Sequence, residues 1–416
     1  MSVPAHLSRA LRRRAFLGLQ QPQQQQPLRQ FSASAVASSR AGTYQAHTLD
    51  TLEIVFPFPN NAQILTTTTP DALVTFHESS SPELASLLSS LRSRVVLPRL
   101  LNAEQRHAVF SAKHRSRLQH EDFVVALGPP GREQDVRLEP LRAAVDVPPR
   151  WASLRAALRL ARTDDDWANV FLCAEALEAA GVPLRLYQRE VLLRKACEAG
   201  RVGLAVGAFR RVGRSGFSLR EAPLRAYVFA MVRRHAEAAG WEEEDTRRAL
   251  GWCEALAEML EDERHCGGST SVGLRDPRAE PAVIAPLVEL AGVRAERHLG
   301  GKDQEGKVAT YALRLVHAMK QREKAEIELL PTLKKDPEVS RTASMFERSW
   351  YLAQGLPLWH ALDLSLRILG DDMPMRKDAV RWKDEVHKLL AEVREGITVY
   401  EGSELPGVNS WDALNI

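Results

Sequence analysis

The sequence predicts a mainly α-helical protein, an α-solenoid of antiparallel helical hairpins preceded by a small segment of helix and β-hairpin. Residues 151–185 and 186–220 form two consecutive blocks of 35 residues. Each block contains two segments with apolar residues at helical spacing, a polar break between them and a glycine close to the end. Because one short hairpin cannot bury its apolar faces alone, we expect these units to stack in series.

The first 31 residues have the composition of a mitochondrial transit peptide. They contain five arginines, no lysine and no acidic residue. The stretch Arg29-Gln30-Phe31-Ser32 resembles a matrix-protease cleavage site. Arginine-rich, acid-poor leaders of this kind direct proteins to mitochondria, whereas a plain disordered tail is the alternative. We therefore expect a protein of the mitochondrial matrix, and leave peripheral contact with the inner membrane open.

Residues 32–81 form a predicted linker with an extended arm, and 82–148 a small region of helix and β-hairpin. Residues 51–59, "TLEIVFPFP", are either a short strand or an arm that its own prolines interrupt. Leucines at helical spacing predict helix over 82–118, and the turn Gly128-Pro129-Pro130-Gly131 between two β-rich runs predicts a hairpin. A basic run lies in this region: Arg92, Arg94, Arg99, Arg106, Lys113, Arg115 and Arg117.

Residues 149–400 form the predicted repeat domain, and 401–416 a C-terminal tail. After the two blocks, the apolar pattern predicts a third hairpin over 224–260 and a fourth over 284–315. Later helices are predicted at 340–354, 357–369 and 376–395.

Several classes of function lack their sequence signals. The chain has no apolar run of the roughly 18 residues that a transmembrane helix needs, and it contains no metalloprotease, nucleophile-elbow, phosphate-loop or dinucleotide motif. We therefore predict neither an enzyme nor a cofactor. Cys173, Cys197 and Cys253 fall on apolar helix faces and are predicted to be buried thiols, with a disulfide or a metal as the alternatives. His265 beside Cys266 lacks the further ligands that a structural zinc needs.

The paired units resemble the pentatricopeptide repeat family. The stretch "ACEAGRVGLAVGAF" matches the turn and second helix of that repeat, and Gly181 and Gly216 match its near-terminal glycine. The 34-residue tetratricopeptide repeat is the neighbouring possibility, but its Trp, Gly and Tyr pattern is missing. The resemblance implies an organellar α-solenoid whose inner helices bind single-stranded RNA at roughly one base per repeat.

The resemblance also selects candidate binding residues. In that family base choice depends on the fifth and last positions of each unit, which here hold Arg155 with Arg185 and Glu190 with Arg220. The glutamate departs from the usual pattern, because it repels a phosphate backbone. The predicted RNA- or partner-binding residues are Arg155, Arg159, Arg162, Arg185, Arg189, Arg220 and Arg225. No catalytic or metal-binding residue is predicted.

The charge of the chain leaves two interpretations open. Without residues 1–31 it carries 51 Lys and Arg against 53 Asp and Glu, which disfavours a protein that mainly coats phosphate backbone. Residues 151–240 nevertheless hold 15 basic against nine acidic side chains. This basic excess forms either solvated faces or a binding groove. We favour a factor that binds single-stranded mitochondrial RNA for transcript maturation, stability or translation, including on the mitoribosome. The alternative is a protein-binding scaffold or assembly factor for a respiratory complex or the mitoribosome.

Overall fold

Helices make up most of the chain that the structure describes. The computed structural model describes residues 73–121, 123–128, 133–268, 272–327, 330, 341–398 and 405–414. The predicted transit peptide at 1–31 and the predicted strand or arm at 51–59 lie outside these residues. None of the described helices is both long and apolar enough to span a lipid bilayer.

The N-terminal region consists of short helices and a β-hairpin. Its elements are α1, Pro82–Leu91; a π-helical turn, Arg92–Val96; α2, Leu97–Leu100; α3, Ala103–Phe110; a 3-10 turn, Ala112–His114; α4, Arg115–His120; β1, Val124–Leu127; and β2, Gln134–Arg137. The strands pair antiparallel, with Val124 opposite Arg137 and Leu127 opposite Gln134. The predicted hairpin is therefore confirmed.

Most of 82–118 is helical as predicted, but it is divided into several helices, because the chain leaves the helical conformation between α2 and α3. Leu101 is extended, and Asn102 starts α3 with a capping box. The Asn102 side chain accepts a hydrogen bond from the Gln105 N–H at 2.8 Å, and the Gln105 side chain accepts one from the Asn102 N–H at 3.1 Å. This reciprocal cap satisfies the N–H groups of a new helix start and so separates α3 from the preceding helix.

The remainder of the described chain is a series of helices. These are α5, Arg150–Leu160; α6, Asp164–Ala179; α7, Leu186–Glu198; α8, Val202–Arg210; α9, Val212–Ser215; α10, Ala222–Ala238; α11, Glu243–Met259; α12, Glu263–Cys266; α13, Pro281–His298; α14, Lys307–Lys324; α15, Arg341–Leu369; α16, Arg376–Glu395; and α17, Pro406–Leu414. The predicted mainly α-helical class is confirmed.

The two 35-residue blocks fold as two helical hairpins that end in the same way. Gly181 and Gly216 both have φ of 68°, a left-handed conformation in which glycine has no steric penalty. At Gly216 a β-carbon would also lie 2.7 Å from a carboxylate oxygen of Glu178 on the preceding hairpin. The repeated glycine therefore marks a chain reversal in both blocks.

Neighbouring hairpins pack through their apolar stripes. The first helices contact one another in chain order, α5 with α7, α7 with α10, α10 with α13 and α13 with α15, and second helix α6 contacts α8, which contacts α11. The stripe residues Leu154, Leu177 and Phe209 are completely buried. Burial of these faces between successive hairpins is the packing expected of short helical units.

The C-terminal half departs from a regular array, in which each unit contacts only its neighbours. Helix α10 also contacts α15, two hairpins further along, where Tyr227 stacks on Trp350 with ring centroids 5.4 Å apart. Helix α13 is buried on nearly every side between α11, α14 and α15. The solenoid arrangement consequently stays a prediction.

Helix α15 replaces the two helices predicted at 340–354 and 357–369. It runs unbroken through Pro357, although proline lacks the N–H that an interior helical position donates. Tertiary packing holds it together, because α13 and α16 pack against it. Helices α15 and α16 lie so close together at Gly355 that a β-carbon there would be 2.6 Å from the Leu390 side chain of α16.

A buried ionic network joins four helices of the C-terminal half. Arg233 of α10 is 1% exposed, and its guanidinium forms a two-pronged pair with Glu289 of α13, the closest distance being 3.0 Å. The same guanidinium donates to Ser410 of α17 at 3.1 Å and pairs with Glu237 at 2.6 Å. His360 of α15 lies 2.7 Å from the Glu289 carboxylate. Burial acts to raise the pKa of Glu289, but Arg233 and His360 outweigh it and hold that pKa below its usual range.

We predict that Arg233→Met destabilises the protein by about 3–5 kcal/mol, because it leaves the Glu289 carboxylate buried without its main partner. Urea denaturation of the full chain measures the free energy of unfolding. The neighbouring half-buried Arg234→Met variant is the matched control and should cost less than about 1 kcal/mol. Equal losses from the two variants would show that the network does not stabilise the fold.

Candidate nucleic-acid interface

Helix α5 presents a row of unneutralised arginines. Arg155 and Arg159 are exposed one turn apart, and neither has an acidic partner among the described residues. Arg162, just beyond the helix, is also exposed, but its guanidinium donates to the carbonyls of Arg159 at 2.9 Å and Ala161 at 3.1 Å. Two of these three predicted residues therefore have their guanidinium groups open to a partner.

The second hairpin places its predicted arginines in different surroundings. Arg185 is exposed immediately before α7, and Arg220 is exposed two residues before α10. Arg189 is half-buried, and its guanidinium donates to the carbonyl of Gly216. Arg189 thus holds the end of its own hairpin, while Arg185 and Arg220 face solvent.

Arg225 is part of the protein interior. It is 6% exposed, and its guanidinium makes a two-pronged pair with Glu280, with distances of 2.7 and 2.9 Å from one nitrogen. It also donates to the carbonyl of Leu219 at 2.7 Å. These contacts occupy the guanidinium, so we leave Arg225 out of the proposed surface.

Several basic residues on or next to the second helices pair with carboxylates within the protein. Arg211 lies 2.7 Å and Arg214 3.6 Å from the buried carboxylate of Glu175 on α6. Arg201 lies 2.7 Å from Asp164. Of the exposed arginines in 151–240 without an acidic partner among the described residues, Arg155, Arg159, Arg185 and Arg220 lie on or next to the first helices, whereas Arg210 lies at the end of the second helix α8.

An aromatic pair lies at the same edge, which the sequence analysis missed. Trp151 and Tyr187, near the starts of α5 and α7, contact edge to face with ring centroids 6.0 Å apart. Tyr187 is 48% exposed, and Trp151 is one turn before Arg155. Exposed aromatic rings beside arginines are typical of surfaces on which unpaired bases stack. The signal was an aromatic residue near the start of each 35-residue block.

The N-terminal region carries a denser positive charge. Residues 92–120 contain seven Lys and Arg and one acidic residue, Glu104. Arg99 and Lys113 are exposed, whereas Arg106 donates to the carbonyls of Pro98 at 3.0 Å and Leu101 at 2.9 Å. This basic segment, residues 92–120, is the second part of the candidate interface.

An extended stretch at 77–80 is bound to the first hairpin by two buried side chains of α6. The Asn169 amide exchanges hydrogen bonds with the backbone of His77, at 2.7 and 3.0 Å. The Asp166 carboxylate accepts from the N–H of Ser80 at 2.9 Å and from its hydroxyl at 2.5 Å. These contacts lie directly before α1, so they tie the basic segment to the hairpin that carries Arg155.

Asp166 has an unusually stable negative charge. Its burial acts to raise the pKa, but hydrogen bonds from Ser80, Thr163 and Arg162 outweigh that effect and hold the pKa of Asp166 well below its usual range. Asp164, Asp165 and Asp166 all lie in the first turn of α6, where carboxylates interact favourably with the positive end of the helix. The contact with Ser80 adds a long-range function to one of them.

The thiols and the His265–Cys266 pair lie in structural positions. Cys173 and Cys253 are buried free thiols, and burial raises the pKa of Cys173 to about 12, which suppresses thiolate chemistry. His265 is buried, and its Nδ1 accepts the Leu219 N–H at 3.0 Å. Among the residues described here, no group of three or more His, Cys, Asp or Glu side chains is arranged to hold a metal ion.

The fold and its charges define a helical-hairpin protein whose N-terminal half presents a positive, partly aromatic surface. The sequence matches the model of the mitochondrial ribosomal protein mS27 family over residues 64–412. This match covers most of the chain, so the protein belongs to that family.

A curated relative from Neurospora crassa, the small ribosomal subunit protein mS27, is 29% identical to this chain over 259 residues. The alignment covers 59% of this chain and 64% of the relative, so it spans less than two thirds of the relative's length. These findings correct the assignment to pentatricopeptide repeat proteins. The 35-residue units reflect hairpins of similar length, and the family model that matches the chain is the ribosomal one.

We predict that Asp166→Asn lowers the free energy of unfolding by about 1–3 kcal/mol at neutral pH, because an amide cannot accept all the hydrogen bonds that the carboxylate accepts. A carboxylate with a depressed pKa stabilises the fold above its unfolded-state pKa, and that stability is lost as the pH falls. The difference between wild type and variant should therefore shrink below about pH 5.

Urea denaturation at several pH values measures this difference. Asp165→Asn removes the same charge from an exposed position in the same turn and is the matched control. A pH-independent difference, or an equal loss in the control, would contradict the assignment.

Proposed function

We propose that this chain is a component of the small subunit of the mitochondrial ribosome, in the matrix, and that it contacts ribosomal RNA through its N-terminal half. The family match over residues 64–412 is the observation that carries the proposal. The relative's name assigns that protein to the small ribosomal subunit. The role is architectural binding of RNA and protein.

Charge separates two surfaces for two kinds of partner. The basic segment carries seven basic residues against one acidic residue, and the α5 and α7 edge adds unpaired arginines. Residues 241–327 have the opposite balance, with 13 Lys and Arg against 17 Asp and Glu. Positive surface attracts the phosphate backbone, whereas an acidic surface repels it. The N-terminal half thus suits RNA, and the α11 to α14 region suits neighbouring proteins.

The α5 and α7 edge favours irregular or single-stranded RNA over a regular duplex. Arg185 precedes the exposed ring of Tyr187 by two residues, and Arg155 lies one turn after Trp151, which contacts that ring. Arginines hold phosphates, and aromatic rings stack on bases that are not already stacked in a helix. We infer that loops or junctions of ribosomal RNA occupy this edge.

We predict that the epitope-tagged full chain, expressed in mitochondria, sediments in sucrose gradients with the small subunit and its ribosomal RNA. Ultraviolet crosslinking should then attach that RNA to peptides from 92–120 and 151–220. A chain that stays at the top of the gradient would contradict the subunit assignment. Crosslinks confined to 241–327 would contradict the proposed orientation.

We predict that changing Arg155, Arg185 and Arg220 together to Gln weakens binding of single-stranded RNA. The salt dependence of log K falls by about 0.7 for each lost phosphate contact, so its slope should decrease by roughly 2. Filter binding of the full chain at several salt concentrations measures this slope.

The matched control changes Arg247, Arg248 and Arg264 to Gln, which removes the same charge from exposed arginines that already pair with Glu244, Asp245 and Asp262. This control should leave the slope nearly unchanged. An equal loss in both triple variants would show that total charge, and not the edge, determines binding.

A further inference from the structure

A cleft of about 570 Å³ lies inside the basic segment, between α3, α4 and the chain before β1. Its volume falls within the range of about 300–1,000 Å³ that is usual for small-molecule sites. Its floor is apolar and includes Ala108, Leu118 and Phe123. The cleft is therefore large enough for one nucleobase, and its floor offers a surface on which a flat ring can pack.

The rim of the cleft carries one guanidinium and two imidazole rings. Arg117 lies over the Phe123 ring, with its guanidinium carbon 4.8 Å from the ring centroid, and it also pairs with Glu121 at 2.8 Å. His107 and His114 meet edge to face across the rim, with ring centroids 6.1 Å apart. A planar guanidinium held on an aromatic ring presents its other face for stacking, and the imidazole N–H groups suit a phosphate.

Glu104 is the one acidic residue among the described side chains that line the cleft. A carboxylate only accepts hydrogen bonds at neutral pH, so it selects a base with N–H donors on its accessible edge. Guanine presents two adjacent donors on its Watson–Crick edge, which match two carboxylate oxygens. Uracil presents one donor between two carbonyl oxygens, which the carboxylate repels.

We propose that this cleft holds an unpaired guanine nucleotide of an RNA strand. The base packs on the Arg117–Phe123 pair, Glu104 accepts hydrogen bonds from its N1–H and N2–H groups, and the histidine side of the rim contacts the phosphate. This inference deepens the proposed function and rests on it, because RNA is the partner there. It adds a sequence-selective position to a surface that otherwise recognises phosphate charge.

The test measures fluorescence anisotropy of the full chain with two labelled RNA decamers, ten uridines and the same strand with one central guanosine. A single guanine should raise affinity roughly fivefold or more, as one good two-pronged contact does. Glu104→Gln should remove this preference without weakening binding of the uridine decamer. Equal affinity of the wild-type chain for both decamers would overturn the proposal, as would a preference that persists in Glu104→Gln.

Two further arms separate the cleft from its surroundings. Arg117→Gln should weaken binding of the guanosine decamer more than Arg99→Gln, which removes an equal charge from the same segment outside the cleft. Equal effects would overturn the cleft assignment. Guanosine monophosphate should compete poorly, because it lacks the neighbouring phosphates; competition as strong as that of the decamer would overturn the RNA assignment.

Failure of this inference is distinguishable from failure of the proposed function. A Glu104→Gln chain that still sediments with the small subunit, together with a wild-type chain that shows no guanine preference, would reject the cleft alone. A wild-type chain that never associates with the subunit would reject the proposed function instead.

Discussion

The buried pair between Arg233 and Glu289 is the constraint on which the C-terminal half depends. Both groups have lost their hydration, so displacing α10 from α13 would leave each charge buried without its main partner. His360 and Ser410 extend that requirement to α15 and α17. Four helices separated by up to 177 residues of sequence are thereby held in one register, although their apolar faces alone would tolerate several packings.

The N-terminal half is held differently, and this difference suits its surface. Its hairpins pack through simple apolar stripes, and Asp166 and Asn169 fasten the stretch at 77–80 to them. Few of its surface arginines are drawn into ion pairs on the first-helix side, whereas the C-terminal half pairs its charges extensively. The protein therefore combines an internally neutralised body with a positive surface of mixed aromatic and basic character.

The repeated 35-residue pattern describes local geometry and does not identify a family. Two helices of about three turns, a short turn and a left-handed glycine give this length in any stacked hairpin. Gly181 and Gly216 both adopt the left-handed conformation that a residue with a β-carbon disfavours. The family match instead depends on residues distributed over 64–412. The repeat length and the glycines that suggested the resemblance are present in the structure. The assignment to pentatricopeptide repeats that was based on them was nevertheless wrong.

The sequence by itself determined the helical class, the two hairpins at 151–220 and the β-hairpin, because each follows from periodicity and turn chemistry within a short stretch. It also placed Arg155, Arg159, Arg185 and Arg220 where the structure exposes them. Only the tertiary structure decided that Arg225 is buried against Glu280 and that α15 continues through Pro357, and only it brought Tyr187 to Trp151. Each of these features depends on partners tens of residues away in the sequence. A local sequence pattern does not show which distant residues come into contact or which side chains become buried.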